Sequence, residues 1–156
     1  MSLTVHPVRL IGLAGCVLLA VGCGGNSDLP EMASASGIVM FDGRPLPNAT
    51  VMFASKQRGK GYQAGIGTTD ASGQFALRSY NTDGVVTGSH EISISCTDPD
   101  SWPKDSSGNR VSPMNPLWKP QKSIIPAKYG DPSQSGLSAD VVVSGENEFK
   151  FDLKAE

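Results

Sequence analysis

Few residues in this 156-residue chain carry side chains suited to covalent or acid–base chemistry, and those few stand apart from one another. Past residue 23 the sequence has one histidine, His90, and one cysteine, Cys96. A histidine-based zinc site needs several imidazoles, and a Ser-His-Asp relay must be built around His90 alone. His90 has the parity of Ile92 and Ile94, so it is expected to close one end of an apolar core. Cys96 shares that parity, and no nearby His or basic pair is present to depress its pKa, so a buried small hydrophobe is expected. Asp98, Asp100 and Asp105 cluster in sequence, but Pro99 and Pro103 break the pattern of an EF-hand loop, and calcium takes six or more oxygens. No catalytic residue, metal ligand or cofactor is assigned from this set, and the domain reads as one that is not an enzyme. Trp102, Trp118 and Tyr129 form the candidate binding surface, because aromatic side chains are favoured at binding hot spots. They suit a platform for a glycan or a protein partner, or rings folded back to cover a sheet.

The elements that must position these residues follow from the hydrophobic period, which becomes two from Ser36 onward. Residues 36–41 are an apolar run ended by the turn residues Asp42-Gly43-Arg44-Pro45-Leu46-Pro47-Asn48. Ala49, Val51 and Phe53 then alternate with Thr50 and Met52, and residues 64–69 form a glycine-rich strand. Asp70-Ala71-Ser72-Gly73 is a tight turn, with the Asp carboxylate as cap and Gly73 supplying φ > 0. Alternation resumes at Phe75 and Leu77, at Ile92, Ile94 and Cys96, at Leu137, Ala139, Val141 and Val143, and at Phe149, Phe151 and Leu153. About seven short strands separated by turns predict an all-β fold, an antiparallel immunoglobulin-like β-sandwich.

Residues 97–136 interrupt that rhythm. They hold seven of the eleven prolines and both tryptophans. Proline cannot donate to a ladder, and a connection this long inside a small domain usually carries function. Residues 97–136 are therefore expected to be an irregular loop and the contact surface, with Ile124, Ile125 and Tyr129 docked on the sandwich edge.

The N-terminus has a different composition. Residues 1–9 contain Arg9 and no acid, and residues 10–21 are apolar or small. A helix of twelve residues reaches about 18 Å, too short for about 30 Å of hydrocarbon, whereas a basic start and a short apolar run suit a secretory signal peptide over residues 1–22. Two cysteines follow small residues. Leu13-Ala14-Gly15-Cys16 and Leu19-Ala20-Val21-Gly22-Cys23 both resemble the lipobox of bacterial lipoproteins. Cutting at Cys16 leaves six hydrophobic residues upstream, and cutting at Cys23 uses the whole run, so Cys23 is the expected lipidation site. The resemblance implies a diacylglycerol thioether and an acylated amine, and two or three acyl chains anchor stably. The expected partner at that end is membrane lipid, and the expected location is the periplasmic or outer surface of the cell envelope. Residues 23–35 then read as the lipidated cysteine and a flexible tether. With Cys16 removed and Cys23 acylated, Cys96 has no partner for an internal disulfide. The formal charge is −2, and loss of Arg9 with the signal makes it more negative; nothing indicates a nucleic-acid partner.

Several segments of the domain, residues 36–154, resemble carboxypeptidase regulatory-like domains. Ser36-Gly37-Ile38-Val39-Met40-Phe41-Asp42-Gly43-Arg44-Pro45-Leu46-Pro47-Asn48-Ala49-Thr50-Val51-Met52-Phe53 is similar to their first hairpin. Thr68-Thr69-Asp70-Ala71-Ser72-Gly73-Gln74-Phe75 resembles their second. Gly88-Ser89-His90-Glu91-Ile92-Ser93-Ile94-Ser95 resembles a following strand, with His90 where an aromatic is common. The resemblance implies a transthyretin-like, seven-stranded sandwich and no particular reaction. It also excludes one: the related hydroxyisourate hydrolases need several His and Arg and end in Tyr-Arg-Gly-Ser, whereas this chain ends Phe151-Asp152-Leu153-Lys154-Ala155-Glu156. The expected role is a lipid-anchored protein-interaction or structural module of the envelope, with a glycan-binding module as the alternative.

Overall fold

A computed structural model describes residues 29–80 and 82–155 of the chain. The expected signal peptide over residues 1–22, Cys16, Cys23 and the first part of the expected tether lie outside the described residues. Seven strands of three or more residues are present among those described: β1 Ser36–Phe41, β2 Thr50–Ser55, β3 Gly65–Thr68, β4 Gln74–Ala76, β5 Gly88–Ser95, β6 Ser138–Val141 and β7 Glu148–Leu153. Each corresponds to one of the seven expected from alternation. Five two-residue strands add to them, at Met32–Ala33, Arg44–Pro45, Arg78–Ser79, Thr82–Asp83 and Val85–Val86. These were illegible in the sequence because two residues cannot display a period. No helix among the described residues is long and apolar enough to cross a membrane.

The larger sheet runs β6-β5-β2-β3 and ends in the small hairpin of Arg78–Ser79 and Thr82–Asp83, all antiparallel. The smaller sheet is built on β1, which pairs with β7 on one side and with β4 and Arg44–Pro45 on the other. The expected antiparallel all-β architecture is present, with one parallel pair added: β7 lies parallel to β1, in the register Phe149↔Gly37 to Leu153↔Phe41. Parallel neighbours require a long crossover, and the whole domain between the first and last strands supplies it.

Alternating side chains from both sheets meet in one core. Val51, Phe53, Ile92, Ile94, Leu153 and Val39 are fully buried, and Phe75 and Phe151 nearly so. Phe53 is the hub, with ring centroids 6.4 Å from Phe75, 5.3 Å from Phe149 and 6.1 Å from Phe151. All fall in the range where aromatic pairs attract. Gly37 makes this cluster fit. It lies between Phe149 and Phe75 in the cross-strand row, and a Cβ there would sit 2.1 Å from the Phe149 carbonyl oxygen and 2.9 Å from the Phe75 ring.

The Asp70 turn has the expected geometry. The Asp70 Oδ1 accepts from the Ser72 N–H at 2.8 Å and the Gln74 N–H at 2.9 Å, and Gly73 has φ +77°. Hydrogen bonding of this kind, from the Ser72 hydroxyl first, holds the Asp70 pKa below its ordinary value. The alternation over 137–143 is only partly kept. β6 stops at Val141 and Val143 is exposed, because the Asn147 side chain takes over the Val142 backbone, accepting its N–H at 3.0 Å and donating to its carbonyl at 3.0 Å. Paired structure begins inside the span 23–35 expected to be tether. Met32 and Ala33 pair with Val86 and Val85, so the domain boundary moves to the N-terminal side of Met32.

Removing the hub should show how far the fold depends on it. Phe53→Ala is expected to cost about 3–5 kcal/mol, read as a lowered urea midpoint with an unchanged slope.

Candidate functional site

β5 gives the domain two ends. It runs about 24 Å from Gly88 to Ser95. Near its start lie the chain entry at Met32–Ala33, the connection 56–64 from β2 to β3, the tip at Tyr80 and the turn 142–147. Near its other end lie the turn 42–49, the Asp70 turn and the departure of the long loop. The loop is therefore the cap of the end opposite chain entry.

A neck closes the base of the loop. Thr97 bridges Ser123, the Asp98 N–H donates to the Lys122 carbonyl, and the Ile124 N–H donates to the Cys96 carbonyl, both at 2.9 Å. The Ser101 hydroxyl ties the two sides together: it donates to the Asp98 carbonyl at 2.6 Å and accepts from the Lys122 N–H at 2.9 Å. Above the neck, Lys104 bridges Arg110 and the Val111 N–H donates to the Pro103 carbonyl at 3.0 Å. This hairpin turns on Asp105, whose Oδ1 accepts the Ser107 and Asn109 N–H groups at 2.9 Å each. Bonds of this kind, that from Asn109 first, lower the Asp105 pKa. Asn115 makes the next turn by accepting the Leu117 N–H at 2.8 Å. Asp98 and Asp105 thus spend their oxygens on turns, and among the described residues no three His, Cys, Asp or Glu side chains gather as a metal site.

The three candidate aromatics are not brought together. Trp102 is half-buried, and the Arg110 guanidinium covers its ring at 5.0 Å, a cation–π arrangement that occupies the face a sugar would stack on. Trp118 is half-buried with its indole Nε1 enclosed and without a partner among the described residues. Tyr129 is buried, and its hydroxyl accepts the Lys154 N–H at 3.1 Å and donates to the Lys154 carbonyl at 3.4 Å. Tyr129 is therefore a clasp between the loop and the end of β7. Ile125 docks with it, but Ile124 is exposed, a correction to the expected docking set. The most exposed apolar groups of the loop are Met114, 94 % exposed, and Leu117, 60 % exposed. Reading for aromatics passed over them; the signal was their place between Pro113, Pro116 and Pro120, where no ladder offers a face to hide them.

The reactive side chains are enclosed. Cys96 is buried, its Sγ 3.6 Å from the Pro47 carbonyl oxygen, and burial raises its pKa. His90 is fully buried, with Nδ1 2.9 Å from the Gly88 carbonyl oxygen and its ring centroid 5.8 Å from that of Phe53. Burial pushes its pKa below the ordinary 6.5, outweighing the Gly88 carbonyl and the Asp140 charge.

No family model matches the chain, and no curated protein matches it. Among solved structures it is similar to a 9R-lipoxygenase from Cyanothece PCC8801, at 15 % identity and a TM-score of 0.38, over 79 % of this chain and 16 % of that one. The chain thus spans about one sixth of that enzyme's length. That structure is of an enzyme, and the expectation that the domain is not an enzyme is withdrawn. A TM-score this low transfers no activity either.

The depressed His90 pKa has a signed consequence. The unfolded chain binds the proton more tightly than the folded one, so this contribution is complete above pH 6.5 and is lost as pH falls below it, until the buried ring also protonates. The urea midpoint of the native chain should therefore fall between about pH 7 and 5, and that of His90→Leu should fall less over the same range.

Proposed function

We propose that the chain is an exported lipoprotein of the cell envelope, anchored through acylated Cys23, whose carboxypeptidase regulatory-like sandwich displays the loop 97–123 to a protein partner. The observation that carries this reading is the polarity of the domain. The chain enters at one end of β5, and the loop caps the other. An anchor at Cys23 would hold the entry end toward lipid and turn the cap outward. The cap is braced by its neck and by Tyr129, and the same loop exposes Met114 and Leu117 together with Lys104, Arg110 and Lys119. Exposed apolar side chains on a loop that also carries exposed cations suit a protein surface. A glycan platform is less well supported, because Arg110 covers Trp102 and Tyr129 is buried.

Two measurements test the two halves. Metabolic labelling with a fatty acid should mark the native chain and Cys16→Ser but not Cys23→Ser; label kept in Cys23→Ser and lost in Cys16→Ser would move the anchor to Cys16. Cross-linking in native membranes should give a protein adduct that disappears in the double variant Met114→Asp, Leu117→Asp while the thermal midpoint stays the same. An unchanged adduct, or release by a glycan digest, would remove the loop's role as a protein contact.

A further inference from the structure

We propose that the chain-entry end of the sandwich is a membrane-docking face that recognises anionic lipid headgroups through Lys56, Arg58 and Lys60. The proposal rests on the lipid-anchor reading and specifies what the domain does at the surface to which it is held.

Four observations converge on this face. The connection 56–64 carries three exposed cations and no acid, in a chain whose net charge is −2. It lies against the entering chain: a Cβ on Gly61 would meet Pro30 Cδ at 2.6 Å and Leu29 Cδ2 at 3.1 Å. At the same end of the domain are five of the nine large apolar side chains that the described residues expose: Leu29, Met32, Tyr80, Val142 and Val143. Tyr80 is 87 % exposed at a hairpin tip, where φ is +55°. The cations are concentrated on this one connection, whereas the acids at this end are spread over other segments. Asp83 is paired with Arg78 at 2.7 Å and Asp140 accepts from the Ser89 hydroxyl; Glu31, Glu146 and Glu148 are also at this end, and none of these acids lies on the connection 56–64 itself.

The chain leaves the described domain at Leu29, six residues from Cys23. Six residues of fully extended chain span about 20 Å at most, so an acylated Cys23 would hold this face within a short distance of the headgroups. Charges act over about 8 Å at physiological ionic strength, and Lys and Arg near an anionic leaflet are attracted to it. Tyr and aliphatic side chains settle at the headgroup boundary. The face combines both, and the buried Asn147 stiffens it by donating to the Ser34 carbonyl at 3.1 Å while holding Val142. Docking here would keep the loop 97–123 pointing away from lipid.

The test uses the full acylated protein carrying Tyr80→Trp, bound to vesicles of phosphatidylcholine with or without phosphatidylglycerol. A quencher-labelled lipid reports contact with the introduced indole; Trp102 and Trp118 sit on the loop at the far end. The expected result is flotation with both vesicle types, with quenching several-fold greater on phosphatidylglycerol. Added salt should reduce that excess, and Lys56→Gln, Arg58→Gln, Lys60→Gln together should abolish it. Flotation without quenching, quenching equal on both vesicles, or an excess that survives the triple substitution would overturn the docking face while the anchor stands. Flotation with anionic vesicles alone, still lost in the triple variant, would overturn the anchor and keep the face.

Discussion

The missing side chain at Gly37 lets the first and last strands of the domain lie side by side. With a Cβ at that position the Phe149 carbonyl would be 2.1 Å away, so β7 could not approach β1 in the observed register. Without that approach Phe149 and Phe75 could not close over β1 against Phe53. The parallel pairing that results fixes the polarity of the molecule: Ser36, the start of β1, and Glu148, the start of β7, share one end, and Phe41 and Leu153 share the other. Chain entry and the Tyr129 clasp on Lys154 therefore lie at opposite ends.

The two ends then differ in chemistry for reasons that trace to their connections. At the entry end short turns leave apolar tips such as Tyr80 and Val143 exposed beside a basic connection. At the far end a proline-rich segment cannot join either sheet, so it is held by a neck of backbone bonds and by side-chain caps at Asp98, Asp105 and Asn115. Between the ends the core is closed. At the far end the buried Thr69 hydroxyl accepts the Ala49 N–H at 2.8 Å and donates to the Leu46 carbonyl at 2.6 Å, which locks the first two turns to each other. A buried hydroxyl bonded on both sides costs little and fixes geometry.

Strand phase was legible in the sequence because each strand buries one face. The parities of Ala49, Val51 and Phe53, of Phe75 and Leu77, and of His90, Ile92, Ile94 and Cys96 all match the observed core. Pairing was not legible, because alternation says which face is buried and not which strand is the neighbour; the parallel β1–β7 contact joins residues more than a hundred positions apart. The candidate surface was half legible. Proline density marked the loop correctly as irregular, but ring chemistry overrated Tyr129, whose hydroxyl satisfies a strand end, and Trp102, whose face Arg110 fills. The basic and apolar entry face was hidden because its parts come from four separate connections, which only the topology assembles.

The central claim is that one end of the domain meets the surface and the other is displayed. Hydrogen–deuterium exchange of the acylated protein, free in detergent and then on phosphatidylglycerol vesicles, tests it directly. The account predicts slower exchange on vesicles confined to residues 56–62, 79–87 and 142–146, with residues 104–118 unchanged. Slower exchange at 104–118, with the entry end unaffected, would contradict it.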